Sequence, residues 1–254
     1  RDRLRSRGLG DVYKRQAGNN TYDNAVIENS KISGKNKIQN NQSMLDDIMN
    51  STQYPKQLKD LALKNEEALE FVYDYPAEHV KEHTIDLTEE ASMDSVPLFV
   101  QWDKRWGYEK YSGNFFAASG CGPTTLSMVV VYLTHNREAS PIAVAKYSKE
   151  AGYSVDGSGS SWTLISEGCM HYGVKAKAVA LDESRMKAEL DAGHPIVVNV
   201  GPGDFTDTGH FMVITGYDDE GFSINDPNSI EKSGKRWLFR NISSQIRAVW
   251  SMYV

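Results

Sequence analysis

Four residues far apart in the chain carry side chains that could do acyl-transfer chemistry together. Cys121 stands in Gly120-Cys121-Gly122-Pro123, ahead of a run that reads as a helix. Proline suits a first helical turn, and the flanking glycines let other backbone approach closely. A helix N-terminus favours negative charge, so a thiol there ionises more readily and becomes a better nucleophile near neutral pH. Taken alone, the same residue reads equally well as a small buried hydrophobe. His210 opens the apolar run His210-Phe211-Met212-Val213-Ile214, and Asp226 closes Phe222-Ser223-Ile224-Asn225-Asp226 before Pro227. On their own they read as a strand-end histidine and a turn-forming Asp-Pro. Gln101 lies 20 residues before the cysteine in Pro97-Leu98-Phe99-Val100-Gln101-Trp102-Asp103. Its amide, with the backbone N–H of Cys121, would supply the two donors that a developing oxyanion needs; alone it is an ordinary solvated polar residue.

A hairpin must bring the histidine and the aspartate together. The two strands can turn around Tyr217-Asp218-Asp219. Centred on Asp218, the register sets Asp226 opposite His210, Ile224 opposite Met212 and Phe222 opposite Ile214, all on one face. Centred between Asp219 and Glu220, it sets Asp226 opposite Val213, on the face away from His210. A carboxylate beside an imidazole fixes its tautomer and stabilises the imidazolium that a Cys–His pair requires. The triad therefore needs even-sum pairing, or a bulge that restores it.

The surrounding elements read as α+β. A helix opening at Cys121 carries Leu126, Val129, Val130 and Leu133 at i, i+3, i+4 and i+7. A second spans about 141–150. A third places Trp162, Ile165, Cys169 and Tyr172 on one side, and a fourth runs from Glu183 to about Ala192. Strands come next at 195–200, 210–217, 221–226, around Trp237-Leu238-Phe239, and at 248–254. Helices first and antiparallel strands after indicate a segregated architecture, not alternating βαβ units. Upstream, Met44, Leu45 and Ile48, then Leu58, Leu61 and Ala62, then Leu69, Val72 and Tyr73 give three short helices. They are too small to make a core alone and must dock on the domain that begins near Ser95. Residues 17–42 are rich in Asn, Lys and Ser without apolar periodicity and read as a flexible linker.

In sequence order, Gln, then Cys-Gly-Pro opening a helix, then Gly-His-Phe on a strand, then Asn-Asp-Pro resemble the papain-like cysteine peptidases, and in detail the C39-like bacterial group. The resemblance covers about residues 95–254, and the N-terminal helices look like the leader region of such proteins. It implies a papain-like α+β fold, Cys121 as nucleophile, His210 as base, Asp226 as its orienter and Gln101 as oxyanion donor. The implied partner is a peptide or protein substrate, cleaved at a peptide or isopeptide bond without a cofactor or metal. A cell-wall endopeptidase or acyltransferase of the same fold, and a peptide-binding module without turnover, are the alternatives. Transporter-fused members cleave leaders after a double glycine, and that substrate does not carry over to a chain showing no transporter segment.

Composition bounds the rest. The 254 residues carry a formal net charge of −6 although residues 1–16 are strongly basic, so the body is acidic and nucleic acid is not an expected partner. No apolar run approaches the roughly 18 residues of a membrane span. Two cysteines are too few for a disulfide framework, though one bridge between Cys121 and Cys169 stays open. Cys169 itself reads as core. His79 and His83 have the i, i+4 spacing of metal ligands but no third ligand in view. The basic head resembles a translated cloning scar, which leaves residues 1–42 as head and linker, 43–94 as a helical segment and 95–254 as the catalytic domain. On that reading the true N-terminus is missing, and with it any secretion signal; the linker, resembling those that trail surface anchors, points to an extracellular or cell-surface location in a bacterium.

Overall fold

The structure, a computed structural model, describes residues 20–254, with side chains from residue 33. The basic head lies outside the described residues. By contacts the chain divides into residues up to Ser43 and a unit Met44–Val254. Helix α1 (Asn20–Asn50) covers the described part of the first. A helix stands here where the composition reads as a linker. No proline falls between 20 and 50, so nothing blocks helical hydrogen bonding. Its side chains from 33 to 40 are exposed, so no apolar stripe marks it in the sequence.

The second unit opens with a small aromatic and aliphatic cluster. It gathers Ile48 with Leu58 and Leu61 of α2 (Lys56–Lys64) and Leu69, Phe71 and Val72 of α3 (Leu69–Tyr73), packed with Phe115 and Ala117 further along the chain. The short helices thus dock as the sequence requires.

Helix α4 (Cys121–Thr134) is the centre of the main core. Every residue from Gly122 to Val131 is buried, not only the predicted face. It is a fully enclosed helix, which explains why Met128, Val131, Thr124 and Thr125 fill the positions between the stripe residues. Helix α5 (Pro141–Glu150) begins at Ser140, whose hydroxyl accepts from the Ala143 N–H. The predicted third helix is broken into one α-turn (Thr163–Ser166) and a 3₁₀ segment (Gly168–Tyr172), with Trp162 left 44% exposed. Glu167 leaves helical geometry at φ −128°, and a Cβ on Gly168 would lie 3.1 Å from the Tyr153 ring. Close packing there overrides the helical spacing.

One six-stranded antiparallel sheet completes the domain: β1 (Lys175–Ala178), β2 (Ile196–Val200), β3 (His210–Asp218), β4 (Gly221–Asn225), β5 (Arg236–Trp237) and β6 (Ile246–Tyr253), in the order β1-β6-β2-β3-β4-β5. Val197, Phe211, Val213 and Met252 face the α4 core. Ile196, Val198, Met212, Ile214 and Ile224 face a second core with Met186 of α6 (Glu183–Asp191). Burial on both faces is why β2 reads as a nearly continuous apolar run, interrupted only by Asn199. The predicted strand at Trp237-Leu238-Phe239 is shorter than expected, because Leu238 already leads into a helical turn at Phe239. The α+β papain-like arrangement read from the sequence holds: a buried helix headed by the cysteine lies against an antiparallel sheet that carries the histidine.

Candidate active site

Cys121 is the first residue of α4, behind Gly120, which provides no side-chain cap. First-turn N–H groups have no intrahelical partner, so without a cap they are available at the cleft. The helix can begin here only because Gly122 lacks a side chain. A Cβ at that position would stand 2.6 Å from Ser160 Oγ and 2.8 Å from Ser160 Cβ. Ser160 belongs to a small hairpin that pairs Ser154-Val155 with Gly159-Ser160 and packs against the helix start at Gly122. The Ser160 hydroxyl is further tied to Tyr111 Oη at 2.6 Å.

His210 is the first residue of β3 and is buried. Its Nε2 donates to Asp226 Oδ1 at 2.7 Å, and both side chains are almost fully enclosed. With Nε2 engaged there, Nδ1 is the nitrogen left for Cys121, which lines the same cleft and is electrostatically coupled to the imidazole.

The register that achieves this differs from the one favoured in the sequence. The β3–β4 turn is centred between Asp219 and Glu220, with Asp218 opposite Gly221 and Tyr217 opposite Phe222. That frame alone would put Asp226 on the wrong face. Between Gly216 and Ile214 the pairing slips by one residue, a bulge at Thr215, after which Ile214 faces Ile224 and Val213 faces Asn225. Continued past the end of β4, the ladder sets Asp226 level with Met212. Asp226 is therefore a diagonal neighbour of His210, not its direct partner, and the bulge restores the shared face. The turn reading of Asp226 holds as well, since Oδ1 also accepts from the Asn228 N–H at 2.8 Å.

The electrostatics follow from this enclosure. Burial is the largest influence on Cys121 and opposes ionisation, but the hydrogen bond and charge of His210, with the N–H groups of Phe211 and Gly122, outweigh it and lower the thiol below its ordinary value. Burial likewise disfavours the His210 cation, yet Asp226 and Cys121 together raise the imidazole well above its usual range. Opposite shifts in the two groups favour the thiolate–imidazolium pair over the neutral one. Cys169 contrasts with this. It is fully buried, and burial pushes its thiol up to about 11. Both cysteines are free, so the bridge left open in the sequence is not formed.

Gln101 is buried and lines the same cleft as Cys121. Its Nε2 donates to Ala117 O at 2.7 Å, leaving a second amide hydrogen, and its own N–H donates to Pro227 O at 2.7 Å. Gln101, Cys121 and His210 line one cleft of about 500 Å³. Its walls are the 203–209 loop and, unforeseen in the sequence, α2 through Asp60, Leu61 and Lys64. Further residues that sequence reasoning missed are Asn65, Trp102 and Asn228. Asn65 Nδ2 and Trp102 Nε1 both donate to Asn228 O, at 3.0 and 3.1 Å, behind Asp226. Of the other predicted residues, His79 stacks on Tyr75 and His83 turns to Glu78, each engaged locally. Among the described residues no group of three or more His, Cys, Asp or Glu could share a metal ion. None of their helices is long and apolar enough to cross a membrane.

Comparison with known proteins adds a family. The model for the Peptidase_C39 like family matches residues 93–254. No curated protein matches. Among solved structures, the peptidase domain of Streptococcus ComA, a bi-functional ABC transporter involved in a quorum sensing pathway, is similar at 20% identity and a TM-score of 0.42, over 53% of this chain and 90% of that one. A chain described as a C39-like peptidase from Bacillus anthracis is similar at 18% identity and a TM-score of 0.39, over 63% and 95% respectively. Both likenesses are loose.

Proposed function

Since this chain belongs to the Peptidase_C39 like family, we propose that it cleaves peptide or isopeptide bonds through Cys121, His210, Asp226 and Gln101. The observation that carries the reading is geometric: a buried imidazole bonded to a buried carboxylate lines one cleft with the cysteine at a helix start. The Cys121 thiolate attacks the scissile carbonyl carbon, and the C=O electron pair moves to oxygen. The resulting oxyanion is held by the Cys121 N–H and the second Nε2 hydrogen of Gln101. The imidazolium then passes its Nδ1 proton to the leaving amine as the C–N bond breaks, which leaves a thioester and a neutral imidazole. Water, deprotonated by that imidazole, attacks the thioester, and expulsion of the thiolate restores the pair. Asp226 holds the ring and stabilises its cation throughout.

Selective alkylation tests the first requirement. Iodoacetamide should label Cys121 well below pH 8 while Cys169 stays unlabelled until the protein unfolds. Equal labelling of the two would remove the basis of the assignment. Incubation with a broad peptide library, read by mass spectrometry, should yield new termini from the wild type and none from Cys121→Ala or His210→Ala. Products that persist in His210→Ala would overturn the mechanism, and amide-linked adducts in place of free carboxylates would show acyl transfer instead of hydrolysis.

A further inference from the structure

The residues that hold Asp226 in place do not all belong to the domain matched by the family model. Asp226 begins a tight turn, Asp226-Pro227-Asn228-Ser229-Ile230-Glu231, and Glu67 from the N-terminal helical segment grips its far end. Glu67 Oε2 accepts from the N–H groups of Ile230 at 2.7 Å and Glu231 at 3.1 Å, and Oε1 accepts from the Ser229 hydroxyl. Three donors on one carboxylate are charge-assisted hydrogen bonds, about twice as strong as neutral ones. Two residues earlier, Asn65 Nδ2 donates to both Asn228 O and Asn228 Oδ1 at 3.0 Å, while Asn65 Oδ1 accepts from the Glu67 N–H. The two side chains therefore work as one clamp across more than 160 residues of sequence.

What the clamp holds is the meeting point of the catalytic groups. The Asn228 N–H donates to the same Asp226 oxygen that receives His210, and Pro227 O receives the Gln101 N–H. The orienting carboxylate and the oxyanion donor are both tied to this single turn. Its other supports are Trp102 and Ser233, whose hydroxyl accepts from the Asp226 N–H. We propose that Glu67, assisted by Asn65, is a positioning residue of the active site: it sets the Asp226 turn so that His210 is held against Cys121. This rests on the catalytic reading above and extends it to a segment outside residues 93–254.

Loosening the turn lets the imidazole move off the thiol, so Cys121 drifts back toward ordinary thiol behaviour. Glu67→Ala should raise the midpoint of Cys121 alkylation by iodoacetamide by about 0.5–1 pH unit, a three- to tenfold slower reaction near pH 6. Glu67→Gln should recover most of that loss, because its amide oxygen can still accept from the two backbone N–H groups. Asn65→Ala removes the parallel tether and should move the midpoint in the same direction, which keeps the outcome decidable if Glu67→Ala does not fold. A purely structural role would lower the fraction of reactive protein and leave the midpoint of the remainder in place. An unmoved midpoint in folded Glu67→Ala, or in Asn65→Ala where the former is unfolded, overturns the positioning role. The wild type separates the two ideas. If its Cys121 alkylates no earlier than Cys169, the catalytic reading fails first; if it alkylates at acid pH and the variants match it, only the clamp fails.

Discussion

Replacing Asp226 with Asn isolates the electrostatic part of the site. An Asn oxygen in the place of Oδ1 can keep both bonds that atom makes, from His210 Nε2 and from the Asn228 N–H. The amide nitrogen then replaces Oδ2, a buried atom without a hydrogen-bond partner among the described residues, so packing and local bonding change little. What is lost is the negative charge. That charge is the chief influence raising the His210 imidazole against the opposing effect of burial. An adjacent opposite charge typically shifts a pKa by about 1–3 units, or about 1.4–4 kcal/mol of imidazolium stabilisation. The sign is fixed: the folded imidazole is raised, so the active imidazolium form exists below that value and disappears as pH rises through it. In Asp226→Asn the alkaline limb of turnover should therefore move down by about 1–3 pH units. The acid limb reports thiol ionisation beside an imidazole still protonated there, and should move little. Both limbs are properties of the coupled pair. The pH titration of His210 by NMR in labelled protein, together with the pH dependence of peptide turnover, measures the shift. An alkaline limb within a few tenths of a unit of the wild type, in a folded variant, would refute a charge-stabilising role for Asp226.

Three further outcomes come from other contacts. Gln101→Ala should lower kcat by about 10²–10³ with KM little changed, because it removes a donor that acts only as the oxyanion forms; steady-state kinetics on a library-derived peptide reads the split. Gly122→Ala should cost about 1–3 kcal/mol in urea unfolding and slow Cys121 alkylation, since the new methyl meets Ser160 under the helix start. Glu189 accepts from His194 and Ser251 and pairs with Lys177, which holds its carboxyl at about 2. A depressed folded value means stability present above the unfolded carboxylate value near 4.3 and lost as pH falls toward about 2. Acid unfolding of Glu189→Gln should be correspondingly flatter through that window.

The candidate site was legible because its residues carry local signals. Cys121 sits where glycines and a proline announce a helix start, and His210 and Asp226 sit at ends of strands whose alternation is plain. The parity argument correctly required either even pairing or a bulge, but no residue type at Thr215 reveals which. Strand β1 escaped notice because Lys-Ala-Lys-Ala lacks the β-branched and aromatic residues of a typical strand; it is an edge held by β6. The part of helix α1 before Ser43 escaped because an exposed helix needs no apolar stripe, while its end at Met44, Leu45 and Ile48 reads as a short helix. The clamp of Asn65 and Glu67 escaped for a different reason: their local pattern explains them fully as a helix start. Only contact with a turn more than 160 residues away gives them a second task.

The bulge at Thr215 also determines where this chain can tolerate a change in length. From the Ile214–Ile224 pair to the site, the count is four residues back to His210 and two forward to Asp226, both even. Removing the bulged residue leaves the pairs on either side of it adjacent and both counts intact, and the hairpin only becomes more regular. A single insertion or deletion inside either short stretch turns an even count odd and sends one member of the relay to the opposite face. Length variation is thus harmless on the turn side of Thr215 and disabling a few residues beyond it, although no side chain at the boundary touches the chemistry.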